Sequence, residues 1–199
     1  MSLTTEEVFV NQKLINAPTS NLRLRVFVIL LLVGGLTLFG TFQFGAESQQ
    51  EWRTNALKGK VAMTEVQLKN LVVTEKIAVY WTGPIANNLY TLDTSKKNQS
   101  ILTYLSQKSK DKKVIASSRV IGTYFSPSAF SDSLNVATKA NNVSFKNANG
   151  NLVFYSKDRE TGVFVAIPNT NYQIEIFDPI PGQAISIATL RDQLTKIGI

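Results

Sequence analysis

The chain has 199 residues, 44% of them hydrophobic and 18% charged, with 21 Lys/Arg against 14 Asp/Glu and a net charge of +7. This is the composition of a folded protein rather than a disordered one. Cysteine and histidine are both absent, which excludes disulfide staples, thiolate and imidazole metal sites, cysteine nucleophiles, Ser-His-Asp triads and histidine-ligated haem.

Residues 1–22 are polar, with Asn11, Asn16, Pro18 and Asn21, and are expected to form a short cytoplasmic tail. Between Arg25 and Glu47 stand 21 residues without a charge, VFVILLLVGGLTLFGTFQFGA. As a helix rising about 1.5 Å per residue they would span roughly 30 Å, the thickness of a bilayer core. A transmembrane helix is therefore expected within 23–46, its apolar core running from Val26 to about Phe44, with the lipid bilayer as the first partner. The end of the run offers a poor small-x-small cleavage site, so the segment reads as a signal-anchor. Arg23 and Arg25 abut its N-terminal end, whereas the first basic residue beyond it is Arg53. That asymmetry predicts a cytoplasmic N-terminus and a C-terminal domain outside the cell membrane.

Residues 47–75 are expected to form a juxtamembrane helical segment. Trp52, Leu57, Val61, Met63, Val66, Leu68 and Leu71 recur at helical spacing, interrupted near Gly59. From residue 76 onward the pattern changes to short β-type runs between turns. Strands are predicted at Ile77–Trp81, Asn88–Asp93, Ile101–Leu105, Arg119–Phe125, Val143–Lys146, Leu152–Tyr155, Gly162–Ile167 and Tyr172–Phe177. Asn147-Ala148-Asn149-Gly150-Asn151 and Pro168-Asn169-Thr170-Asn171 supply hairpin signals. Ser128–Ala140 and Pro181–Ile197 carry apolar residues near helical spacing. The expected fold class is α+β: a mainly antiparallel sheet with two or three helices on one face, forming an extracytoplasmic domain over 76–199.

Candidates for chemistry are few. No GxxxxGK[ST] or GxGxxG loop is present, which disfavours nucleotide binding by those routes, and no cofactor is expected. Asp158, Glu160, Glu175 and Asp178 would serve a carboxylate-based envelope hydrolase only if two of them met at a defined separation; spacing along the chain does not predict that, and an enzyme is not the leading reading. Lys108, Lys110, Lys112 and Lys113, with Lys96 and Lys97 before them, form the most basic stretch. The lack of nearby arginine argues against nucleic acid, whose specific recognition recruits arginine, and leaves anionic lipid, an anionic envelope polymer or a solvated loop. Tyr80 and Trp81, in Tyr80-Trp81-Thr82-Gly83-Pro84, could stack on a ligand or cap the core beneath a turn.

The order of Val79-Tyr80-Trp81-x-Gly83-Pro84, Tyr90-x-Leu92, Tyr104-Leu105, Gly122-Thr123-Tyr124 and Asn171 through Pro179 resembles uncharacterised bacterial single-pass membrane proteins with a YWxGP motif. The resemblance covers roughly residues 77–180. It departs at Thr103 and Ser106, where that pattern has Arg and Pro, and it implies no activity. The leading expectation is a membrane-anchored binding or scaffolding domain at the cell envelope, whose partner is another envelope protein or an anionic polymer. A basic module contacting anionic polymer or nucleic acid is the further alternative.

Overall fold

The computed structural model describes residues 48–106, 118–190 and 193–198. The expected membrane segment and the lysines at 108, 110, 112 and 113 lie outside them. Among the described residues no helix is long and apolar enough to cross a membrane.

The chain from Glu51 onward forms one unit. Residues 48–56 are helical (α1), and a second helix, α2, covers Glu65–Thr74. The predicted interruption is therefore real, and Gly59 lies within it at φ 68°. Helix α2 starts where Thr64 and Gln67 cap each other: the Gln67 amide donates to the Thr64 hydroxyl and the Thr64 amide to the Gln67 side chain. This reciprocal bonding satisfies two of the orphan donors of a first turn. Leu68, Leu71 and Val72 are its buried face, each contributing about 1.5–3 kcal/mol by burial.

Seven strands form one antiparallel sheet: β2 (Asn88–Asp93), β3 (Gln99–Ser106), β4 (Val120–Phe125), β5 (Asn142–Lys146), β6 (Leu152–Ser156), β7 (Gly162–Ala166) and β8 (Tyr172–Phe177). Their spatial order is β2-β3-β4-β8-β7-β6-β5. A separate pair joins β1 (Val79–Trp81) to β9 (Thr195–Ile197), with Val79 opposite Ile197. Two further helices are α3 (Ala129–Ala137) and α4 (Gln183–Thr189). The domain is thus α+β, with four helices among the described residues.

Two findings correct the sequence expectations. Helices cover both faces of the sheet, not one. Tyr90, Leu92, Leu102, Tyr104, Ile121, Val153, Val163, Val165, Ile174 and Ile176 point to one face and pack with α2, α4 and the β1–β9 pair. Their strand neighbours Leu152, Phe154, Phe164 and Ala166 point to the other and meet Ala137 and Phe130 of α3. Period-two alternation makes both faces of β6 and β7 apolar, so each needs a cover. The second correction concerns Pro181–Ile197, where one long helix was expected. The helix ends at Thr189 with Leu190 extended, and Ile197 is buried as part of a strand. Pairing with β1, more than a hundred residues earlier, overrides the local period.

The outer edge of β2 is sealed by the chain between α1 and α2. Gly59 N donates to Leu92 O, Met63 and Tyr90 exchange both backbone bonds, and Thr94 N donates to Leu57 O. That covers an edge otherwise open to foreign strands.

Candidate functional site

One end of the sheet, at the β2–β3 turn, carries a cleft of about 310 Å³. Ile77 and Ala78 approach it ahead of β1, Thr94, Lys96, Lys97 and Asn98 come from the turn, and Gln99 and Ser100 open β3. Thr123 and Phe125 of β4 and Tyr172 of β8 complete the wall. The sheet register brings these together: Phe125 is opposite Tyr172, and Gln99 is opposite Tyr124.

The turn is held rigidly. Asn98 adopts φ 62°, a left-handed conformation that asparagine tolerates better than most residues, and its carbonyl accepts from Phe125 N at 2.8 Å. Thr94 ties the other stem, its amide and hydroxyl both donating to Leu57 O. Asp93 Oδ1 accepts from Ser95 N at 2.8 Å. Hydrogen bonds from Ser95 hold the Asp93 carboxyl below its usual range against the opposing effect of burial, with a lesser lowering from the charge of Lys96. Asp93 does not line the cleft, but it offsets part of the Lys96 charge.

The floor is aromatic and polar. Phe125 meets Tyr172 edge-on, with ring centroids 5.8 Å apart, and Tyr172 meets Tyr80 at 5.9 Å. Lys196 Nζ stands 5.2 Å from the Tyr172 ring centre, within cation–π range. Burial pushes the Tyr80 phenol up, and neighbouring Tyr172 adds to the shift. Thr123 Oγ1 accepts from Tyr80 N and Ser100 Oγ donates to Ala78 O, so both hydroxyls are spent on holding the approach to β1. The Asn98 and Gln99 side-chain amides carry no hydrogen bond to the described residues. Phe125 is 41% exposed. The wall therefore offers the ammonium groups of Lys96 and Lys97, two amides without hydrogen bonds to the described residues and an open phenyl ring, and no carboxylate stands among its described lining residues.

The sequence-predicted residues distribute differently. Tyr80 and Trp81 are 8% and 6% exposed and belong to the core. Trp81 packs edge-on to Tyr90 and lies under Lys69 Nζ, 5.0 Å from its ring centre. The irregular segment after it, residues 82–85, is clamped by two core tyrosines. The Thr82 amide and hydroxyl both donate to Tyr104 Oη, Tyr104 Oη donates to Gly83 O, and Ile85 N donates to Tyr90 Oη. Burial raises the Tyr104 phenol, against the lowering effect of its Thr82 bonds.

Lys96 and Lys97 precede β3 and line the cleft, whereas Lys108, Lys110, Lys112 and Lys113 lie outside the described residues. The signal for the cleft was the pair Lys96-Lys97 with Asn98 and Gln99. What the sequence could not supply was Phe125 and Tyr172, which reach the turn only through β4 and β8.

The carboxylates are engaged separately. Asp178 Oδ2 accepts from Arg119 Nε at 2.8 Å, Glu175 Oε2 from Tyr124 Oη at 2.9 Å, and Asp158 Oδ2 from Asn141 Nδ2 at 2.7 Å. Glu160 is exposed in the β6–β7 turn. Among the described residues no group of three or more Asp or Glu is placed to hold a metal ion. No family model, no curated protein and no solved structure matches this chain.

Proposed function

We propose that the chain is a membrane-anchored extracytoplasmic binding domain of the cell envelope and that its cleft at the β2–β3 turn receives an anionic ligand. The observation that carries this reading is the makeup of the cleft wall: Lys96 and Lys97, the amides of Asn98 and Gln99 beside them, and no carboxylate among the described lining residues. Lysines are compact point charges without the fixed fork of arginine. They suit a ligand whose acidic groups are spaced along a flexible polymer rather than one read in a single planar geometry.

The anchor rests on the uncharged run from Val26 to Phe44 and the outward orientation on Arg23 and Arg25. Protease treatment of intact cells tests the orientation: the domain is cleaved, whereas complete protection would place it inside. Binding is tested with the full chain in a zwitterionic detergent, using oligogalacturonate and short-chain polyphosphate as anionic probes. Lys96→Glu/Lys97→Glu is expected to weaken binding about tenfold or more, since two exposed charge pairs at contact are each worth about 1 kcal/mol. An unchanged affinity would remove the cleft from the reading.

The hydrolase alternative lacks a comparable observation, because its four carboxylates are bonded one by one to different partners or stand alone in a turn.

A further inference from the structure

We infer that the ligand of this cleft is an acidic glycan, with a sugar ring lying on Phe125 and its acid group at Lys96 and Lys97; this rests on the cleft being an anion site at all. Three groups of distinct chemistry converge there, and each matches a different part of an acidic sugar. A phenyl ring 41% exposed inside a cleft is an apolar platform, and the C–H face of a pyranose is the matching surface. Tyr172 supports that ring edge-on from the neighbouring strand, so Phe125 is oriented before a ligand arrives and binding loses little side-chain entropy. Asn98 and Gln99 each present an amide with two donor hydrogens and an acceptor oxygen. Both are free of bonds to the described residues, and a side-chain amide offers donor and acceptor side by side, which is what neighbouring hydroxyls need. The lysines supply charge without bidentate geometry, as a carboxylate on a rotatable bond requires.

A bare polyphosphate would use the lysines and the amide N–H donors and leave the ring idle. An anionic bilayer would use the exposed lysines but offers no pyranose face for the Phe125 ring. The glycan uses all three groups.

The test compares three probes on the full chain in zwitterionic detergent: oligogalacturonate, its methyl ester and short-chain polyphosphate. Oligogalacturonate is expected to bind about tenfold more tightly than either of the others. Phe125→Ala is expected to weaken oligogalacturonate about tenfold, in keeping with the loss of one aromatic contact, while leaving polyphosphate unchanged. Asn98→Ala is unsuitable as a probe because its backbone conformation is left-handed; Gln99→Ala should weaken the glycan more than polyphosphate, since only the glycan uses both the donor and the acceptor of the amide. Equal binding of oligogalacturonate and polyphosphate, with Phe125→Ala neutral, would overturn the glycan assignment and leave the anion site standing. Equal loss of both ligands in Phe125→Ala would also overturn it, since the ring would then act through the fold. Tighter binding of the methyl ester would overturn the anion site itself, as would failure of both charged probes to bind.

Discussion

Arg119 Nε lies 2.8 Å from Asp178 Oδ2, with the two side chains 17% and 4% exposed. The pair is a cross-strand neighbour one step beyond Val120 and Phe177, the last partners of the β4–β8 ladder. Arg119 also donates through Nη1 to Thr82 Oγ1 and stands over the Tyr104 ring, while Asp178 Oδ1 accepts from Ile180 N. One ion pair thus joins the centre of the sheet to the Trp81-Thr82-Gly83-Pro84 turn.

Removing one partner strands the other charge in a site that water hardly reaches. Arg119→Ala is expected to lower the free energy of unfolding by about 3 kcal/mol or more, read from urea denaturation. Arg119→Met/Asp178→Leu should cost less than Arg119→Ala alone, because it removes both charges. A double variant as unstable as the single would show that packing, not charge, holds this end.

Trp81→Ala is expected to destabilise the fold rather than to remove ligand binding selectively. Trp81 is buried against Tyr90 and Lys69, and large-to-small changes at such sites cost about 3–5 kcal/mol. An unchanged melting temperature would contradict this.

Tyr124 folds back over Gly122, and a Cβ built on Gly122 would sit 2.7–2.9 Å from the Tyr124 ring edge and hydroxyl. Gly122→Ala is therefore expected to be destabilising by about 1–3 kcal/mol, and less so in a Tyr124→Ala background, where the space is open. A double-mutant cycle with no coupling would refute the contact as the cause.

Burial, and then the bond and charge of Glu175, push the Tyr124 phenol up to about 12. A raised folded-state value means the neutral form is favoured by folding, so this contribution is complete below pH 10, the unfolded value. It is lost as pH rises from about 10 to about 12. The stability difference between the wild type and Tyr124→Phe should be flat below pH 10 and shift against the wild type above it. A difference flat across the whole alkaline limb would contradict the raised value, and with it the burial of the phenol that is its main cause.

Ser133 on α3 is 1% exposed and its hydroxyl has no hydrogen-bond partner among the described residues. Ser133→Ala is expected to stabilise the domain by about 1 kcal/mol, since it removes an unsatisfied polar group and adds helix propensity. A loss of stability in thermal melts would mean that the hydroxyl is satisfied in solution.

The order and type of the elements from residue 76 to Phe177 were legible in the sequence because they are set locally. Asn88–Asp93 and Tyr172–Phe177 form strands over the predicted residues, since alternation and turn residues act within a few positions. Gly59 and the Thr64–Gln67 capping pair likewise mark a helix break through neighbours alone. What required the tertiary structure was everything depending on which strands become neighbours. Strand β9 exists only because β1 offers it a ladder, and α3 packs on the second face because Phe154, Phe164 and Ala166 need a cover there. Trp81 is a core residue because Tyr90 and Lys69 enclose it. The cleft has the same origin. Its lysines and amides are adjacent in sequence, but Phe125 and Tyr172 join them through the β3-β4-β8 order, a non-local arrangement that no window of the chain encodes.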